Sequence, residues 1–236
     1  SLIEEEKTFV SGHNGLLPSK TLQMQGCSGE VSLFQASAHK QLIENRPGYA
    51  IAVASKSSSS LIDESWTSFA LTFLDGVENV DYYIHRPDSG SGDWVQLDHG
   101  ALIELERSEA TIQAEQFIDS VFAALDPLID LDFERRYDYY GSFIDIFPAR
   151  SSSDWSDNIL GSAIAQPGWF DILWRPTTNE YLSDNDKNTI VHEIGHALGL
   201  AHPEGDGFHP DWTTDDSVMS YNIGIDGWDY EYSSHD

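Results

Sequence analysis

Four residues could act together on one ion and one water molecule: His192, Glu193, His196 and, a little farther on, His202. A separation of four residues puts two imidazoles on the same face of a helix, one turn apart, where both can grip a single metal. Glu193 follows the first imidazole and can flank the metal without binding it. Gly199 comes three residues after His196, where a glycine can take the left-handed conformation that ends a helix and turns the chain back. A histidine on a continuing helix would point away, whereas a chain reversed at Gly199 can bring His202 to a third tetrahedral corner. Three protein ligands leave one position open for water, the mark of a catalytic rather than a structural zinc site.

The elements that must position these groups are also visible. Ser183-Asp184-Asn185-Asp186 fits the capping-box pattern and opens an apolar stripe of Ile190, Val191, Ile194, Ala197 and Leu198, so a helix starts there. A second helix is expected from Glu109 to Leu125, with Ile112, Phe117, Ile118, Val121, Phe122 and Leu125 at three- and four-residue intervals. Aromatic and branched residues suggest strands at Phe69 to Leu74, Val80 to His85, Ile129 to Phe133, Ser142 to Phe147, Gly161 to Ala165 and Phe170 to Trp174. Earlier strand-like runs are Glu30 to Ala36 and Tyr49 to Ala54. Strands between two long helices predict an α+β fold, with a sheet covered by helices on one side. The turn-forming Pro87 to Asp93 has neither the P-loop pattern nor a nucleophile elbow.

Composition narrows the partners. The 236 residues include 40 acidic and 12 basic side chains, for a formal charge of -28, which repels phosphate backbones and anionic lipid surfaces. Nucleic acid and membrane insertion are therefore not expected, and no stretch approaches a membrane-spanning length. A chain 40% hydrophobic can bury a substantial core. Cys27 is the only cysteine, so no internal disulfide forms. The start, Ser1 to Glu6, lacks the basic and apolar blocks of a signal peptide, which points to a processed chain or another export route.

The string from His192 to His202 matches H-E-x-x-H-x-x-G-x-x-H, and in this it resembles the metzincin zinc metallopeptidases. Ser217-Val218-Met219-Ser220-Tyr221, with Met219 seventeen residues after His202, is similar to the methionine turn of that group. His202-Pro203 and Met219-Ser220-Tyr221 look like the serralysin branch, whereas the seventeen-residue spacing is closer to the matrixin branch. The resemblance implies an α/β/α-type metzincin fold, with a mixed twisted sheet on two long helices and a zinc cleft between an upper N-terminal and a lower C-terminal subdomain. It further implies one catalytic zinc on His192, His196 and His202, with Glu193 as general base. Met219 would form the apolar floor, Gly199 the turn, and Tyr221 a hydroxyl reaching the zinc or the oxyanion. The strand Gly161, Ser162, Ala163, Ile164 and Ala165 would pair with extended substrate. The implied activity is that of a secreted, extracellular endopeptidase acting on proteins or peptides, with a monomer favoured; a zinc-binding but inactive or latent binding module is the alternative.

Residues 1–61 read as an N-terminal segment, either a pro-segment or an extra β module, and 62–236 as the peptidase domain; Ser55 to Ser60 is a linker or an ordinary surface loop. Cys27 lacks the arginine, proline and aspartate that surround the latency cysteine of matrixins, and reads as a buried thiol. Asp206, Asp211, Asp215 and Asp216 could hold calcium, although they form no EF-hand loop. His209 reads as an exposed loop histidine, and His13, His39, His85, His99 and His235 have no ligand spacing. The glycine-rich repeats and final helix of serralysins do not occur in this sequence, which suits a fragment or a compact variant.

Overall fold

A computed structural model describes residues 56–86, 94–96, 102–104, 106–107, 110–138, 142–151, 159–178, 180–225, 227–233 and 235–236. The strands expected at Glu30 to Ala36 and Tyr49 to Ala54, the Pro87 to Asp93 turn, Cys27, His13, His39 and His99 lie outside the described residues.

The sheet and helices follow the two hydrophobic periods of the sequence. Strands β1 (Asn79–Ile84), β5 (Asp132–Arg136), β6 (Ile144–Ser151), β7 (Gly161–Gln166) and β8 (Trp169–Trp174) line up in the order β5-β1-β6-β8-β7. Three of the four pairings are parallel, and only β7 runs antiparallel, joined to β8 by a tight turn. The short strand β4 (Glu106–Arg107) extends β6 on one side, and β2 (Trp94–Gln96) pairs separately with β3 (Leu102–Glu104). Alternate residues Val80, Tyr82, Ile84, Ile144, Ile146, Phe170, Ile172 and Trp174 face one core. That face is covered by α2 (Ile112–Leu125) through Ala114, Ile118, Val121, Phe122 and Leu125, and by α3 (Asp184–Ala197) through Ile190, Val191, Ile194 and Ala197. Tyr82 stacks on Phe122 at 4.0 Å, and Arg135 pins α2 to the sheet through Glu115 (2.6 Å) and Asp119 (2.7 Å). The architecture is thus mixed α and β, with a largely parallel sheet.

Sequence and structure part at three places. Phe69 to Leu74, expected as a strand, lies in α1 (Glu64–Leu74). Its aromatic and branched composition suits a strand, but Trp66, Phe69 and Leu74 recur at helical spacing against the core. Asp63 also caps the first turn, accepting from the amides of Ser65 (2.9 Å) and Trp66 (3.0 Å). The strand expected at Ile129 to Phe133 begins three residues later, at Asp132, because residues 126–130 form the turn that leaves α2. Ile112 stands at the first position of α2, 74% exposed and off the apolar stripe. Leu61 is fully buried in the main core. Among the described residues no helix is long and apolar enough to cross a membrane.

Candidate metal centre

Helix α3 starts where its capping box predicts. The Ser183 hydroxyl accepts from the Asp186 amide (3.1 Å), and the Asp186 carboxylate accepts from the Ser183 amide (3.0 Å). The helix then crosses β7 and β8 with its apolar stripe inward. It ends in a Schellman motif: the Leu200 amide reaches back to the Gly195 carbonyl (2.9 Å) and the Gly199 amide to the His196 carbonyl (3.0 Å). Gly199 holds φ +105°, a conformation that a side chain would strain. The reversed chain delivers His202 beside the two helix histidines.

His192, His196 and His202 are all buried, and one ligand atom from each lies within 4.8 Å of the others. The His202 Nε2 is 3.1 Å from the His192 Nε2 and 3.2 Å from the His196 Nε2. Nitrogens bound at zinc distances to one tetrahedral centre would be roughly 3.3 Å apart. The outer nitrogens settle the tautomers. His192 Nδ1 donates to the Val218 carbonyl (2.9 Å) and His196 Nδ1 donates to the Leu200 carbonyl (2.8 Å), since a carbonyl oxygen only accepts. His192 and His196 therefore each aim a bare Nε2 inward. Burial holds both rings neutral, lowering His192 to about 3 and His196 to about 4, and it pushes His202 lower still. A proton on His202 could satisfy only one inward lone pair at full strength, whereas a cation satisfies all three, so the donor set fits a metal.

Glu193 is buried beside this group, 6% exposed. Burial raises its carboxyl to about 8, opposed by a hydrogen bond from the Ala163 backbone amide. The contact places the carboxyl against β7, the edge strand of the main sheet among the described residues. Gly161 makes the approach possible: a Cβ there would stand 2.6 Å from Glu193 Oε1. Ala163 and Ala165 lie on the core side of β7, Ile164 is buried on the opposite face with Ala149 and Leu173, and Ser162 is half-buried.

Met219 is fully buried against α3, where its Sδ would lie 2.8 Å from a Cβ placed on Gly195, the residue before His196. The Tyr221 ring stacks on His192 (5.2 Å, 22°) and meets His202 edge-on (4.7 Å). The structure thus brings His192, Glu193, His196, His202, Gly161, Ala163, Met219 and Tyr221 together. The four aspartates of the loop do not converge. Asp206 accepts from the Phe208 amide (2.9 Å), Asp215 from the Ile225 amide (2.6 Å), and Asp216 pairs with Lys56. Among the described residues the three-histidine group is the only set of three or more metal-ligating side chains brought together. His209 is half-buried and outside it, and His85 stacks on Phe147 on the far face of the sheet.

Two supports escaped the sequence reading. The Trp66 indole N–H donates to the His196 carbonyl at 2.5 Å, and its ring meets the His196 ring edge-on at 5.8 Å. The Leu61 carbonyl accepts from the Ala201 amide (2.7 Å). The helical spacing of Trp66 with Phe69 and its Asp63 cap was the signal available for the first; the second is a backbone contact without one. No family model matches the chain, and no curated protein matches it.

Proposed function

We propose that the chain is a secreted zinc-dependent endopeptidase of the metzincin type, hydrolysing internal peptide bonds of proteins. The observation that carries this reading is the convergence of three neutral, oriented imidazoles with Glu193 held beside them against the last strand in the sheet order. His192, His196 and His202 would hold the metal, which supplies a Lewis acid that activates water and polarises a carbonyl. Glu193 takes the proton of the attacking water and returns it to the leaving amine. Tyr221, packed on two of the imidazoles, donates its hydroxyl to the oxyanion that forms on the scissile carbonyl. Strand β7 hydrogen-bonds an extended peptide along its open edge, so the scissile bond lies between that edge and the segment after His202. The strong negative charge disfavours attachment to nucleic acid or anionic lipid; secretion rests on the resemblance alone.

The test is cleavage of casein or gelatin by the purified chain, after chelation and after zinc is restored. The reading predicts activity that disappears with the chelator and returns with zinc. A zinc-loaded chain that cleaves neither substrate, before or after trimming of its N-terminus, would make it a metal-binding module instead.

A further inference from the structure

Resting on the metal-centre reading above, we infer that Asp236 is a positioning residue for His192, acting through a hydrogen-bonded relay that crosses a peptide bond and a serine. His192 Nδ1 donates to the carbonyl of Val218 (2.9 Å). The N–H of that same peptide unit, on Met219, donates to Ser217 Oγ (3.0 Å). The Ser217 hydroxyl in turn donates to Asp236 Oδ1. Every donor in this chain points the same way, away from the imidazole and toward a carboxylate.

The carboxylate is itself held. Its second oxygen accepts from the Ser233 amide (2.8 Å) and, at longer range, from the Val218 amide (3.4 Å). Ser217, Val218 and Met219 are fully buried and His192 is 3% exposed, so water is kept from the relay as far as its carboxylate, which is itself half-buried. Hydrogen bonds aligned in low dielectric polarise one another. The negative end therefore strengthens the pull on the Nδ1 proton, fixes the tautomer and makes the inward Nε2 a better ligand. A metal-binding histidine often leans on a carboxylate directly; here a peptide unit and a hydroxyl stand between them.

His196 provides an internal comparison. Its Nδ1 donates to the Leu200 carbonyl (2.8 Å), and the N–H of that peptide unit, on Ala201, donates to the Leu61 carbonyl (2.7 Å). That relay has the same form and ends on a neutral group. The two ligands that share helix α3 are thus supported unequally, one by a charge and one by a dipole.

The experiment compares Ser217→Ala, Asp236→Asn and the double variant. Zinc affinity is measured by competition with a chromophoric chelator, and the imidazole Nδ1–H resonances are measured by nitrogen-15 NMR in metal-free protein. Each single variant is expected to weaken zinc about tenfold, the low end for second-layer partners of a metal ligand. The double variant should be no weaker than Ser217→Ala alone, because the serine carries the whole effect. The His192 Nδ1–H resonance should move upfield in each, while that of His196 stays in place. Loosening of the turn would also reach His192 alone, because His196 leans on Leu200, so hydrogen exchange of the Ser220 and Tyr221 amides, which lie in the turn but outside the relay, is followed as well and should not change. Unchanged His192 resonances, unchanged affinity, or additive losses would overturn the relay. If Asp236→Asn fails to fold, Ser217→Ala decides the question alone. Parent protein that binds no zinc would sink the metal-centre reading, and the resonances would still decide the relay.

Discussion

Asp145 and Asp171 stand side by side in register on the parallel strands β6 and β8, both buried, on the face of the sheet turned away from α2 and α3. Burial raises Asp145 to about 8, helped by the neighbouring Asp171 and opposed by a hydrogen bond from Ser142. Burial likewise raises Asp171 to about 7, against donors from Trp169 (3.0 Å) and Gln166 (2.8 Å). Both folded values exceed the unfolded value near 4. The native state therefore binds more protons between about pH 4 and pH 8, and the stability tied to these groups is full below pH 4 and lost as the pH rises. Asp171→Asn should gain stability relative to the parent as the pH goes from 5 to 8, on the order of 2 kcal/mol. Thermal midpoints of the two proteins across that range check it, and a constant difference would refute it.

Gly161→Ala should damage catalysis more than metal binding. The added Cβ would meet Glu193 Oε1 and Thr189 Cγ2, each at 2.6 Å, so the Glu193 carboxyl must leave its place. Overpacking of this kind costs about 1–3 kcal/mol of stability. Zinc content should stay near one per chain while peptidase kcat falls at least tenfold, and a fully active variant would remove the argument.

Replacing Glu193 by Ala should leave the three ligands intact and remove the proton carrier. Turnover is expected to fall by about 10² to 10⁴, the range for a positioned general base, with stoichiometric zinc retained. Peptidase assays beside metal analysis decide it; unchanged turnover would exclude Glu193 as the base.

Tyr221→Phe keeps the ring that packs on His192 and His202 and deletes only the hydroxyl. On the proposed mechanism kcat drops about 10²-fold while KM changes little. A loss confined to KM would assign Tyr221 to substrate binding.

Chelation should lower the thermal midpoint, because zinc at about a hundred times its Kd adds roughly 2.7 kcal/mol. His202→Gln should lose that dependence. In chelated protein the buried imidazoles titrate far below their unfolded value near 6.5. The unfolded chain then takes up protons first, so stability present above pH 6.5 is lost as the pH falls toward 4. His196→Gln should narrow its gap from the parent over that range, which thermal scans at several pH values can measure.

The site was more legible in the sequence than its supports were. His192, Glu193, His196 and Gly199 lie within one helix and its cap, where spacing translates directly into geometry, and His202 follows from the reversal. Met219 and Tyr221 could be placed only by resemblance to a known turn. Trp66, Leu61 and Asp236 act through hydrogen bonds to segments far along the chain, which leave no local pattern. In α1 the composition of Phe69 to Leu74 favoured a strand, while Asp63 and the spacing of Trp66 and Phe69 favoured a helix; packing on the core followed the spacing. For α3, cap, stripe and terminal glycine all agreed, and both ends fell where they were expected.

The segment just before α1 is fastened to the chain around the third histidine. Ser60 donates to Glu204 across 144 positions, Lys56 pairs with Asp216, and Leu61 receives the Ala201 amide. Closures of such sequence separation are slow, because chain entropy must be lost before the contacts form. The stretch that carries the third histidine is thus moored from two sides, by the reversal at Gly199 and by a segment 144 positions earlier in the chain.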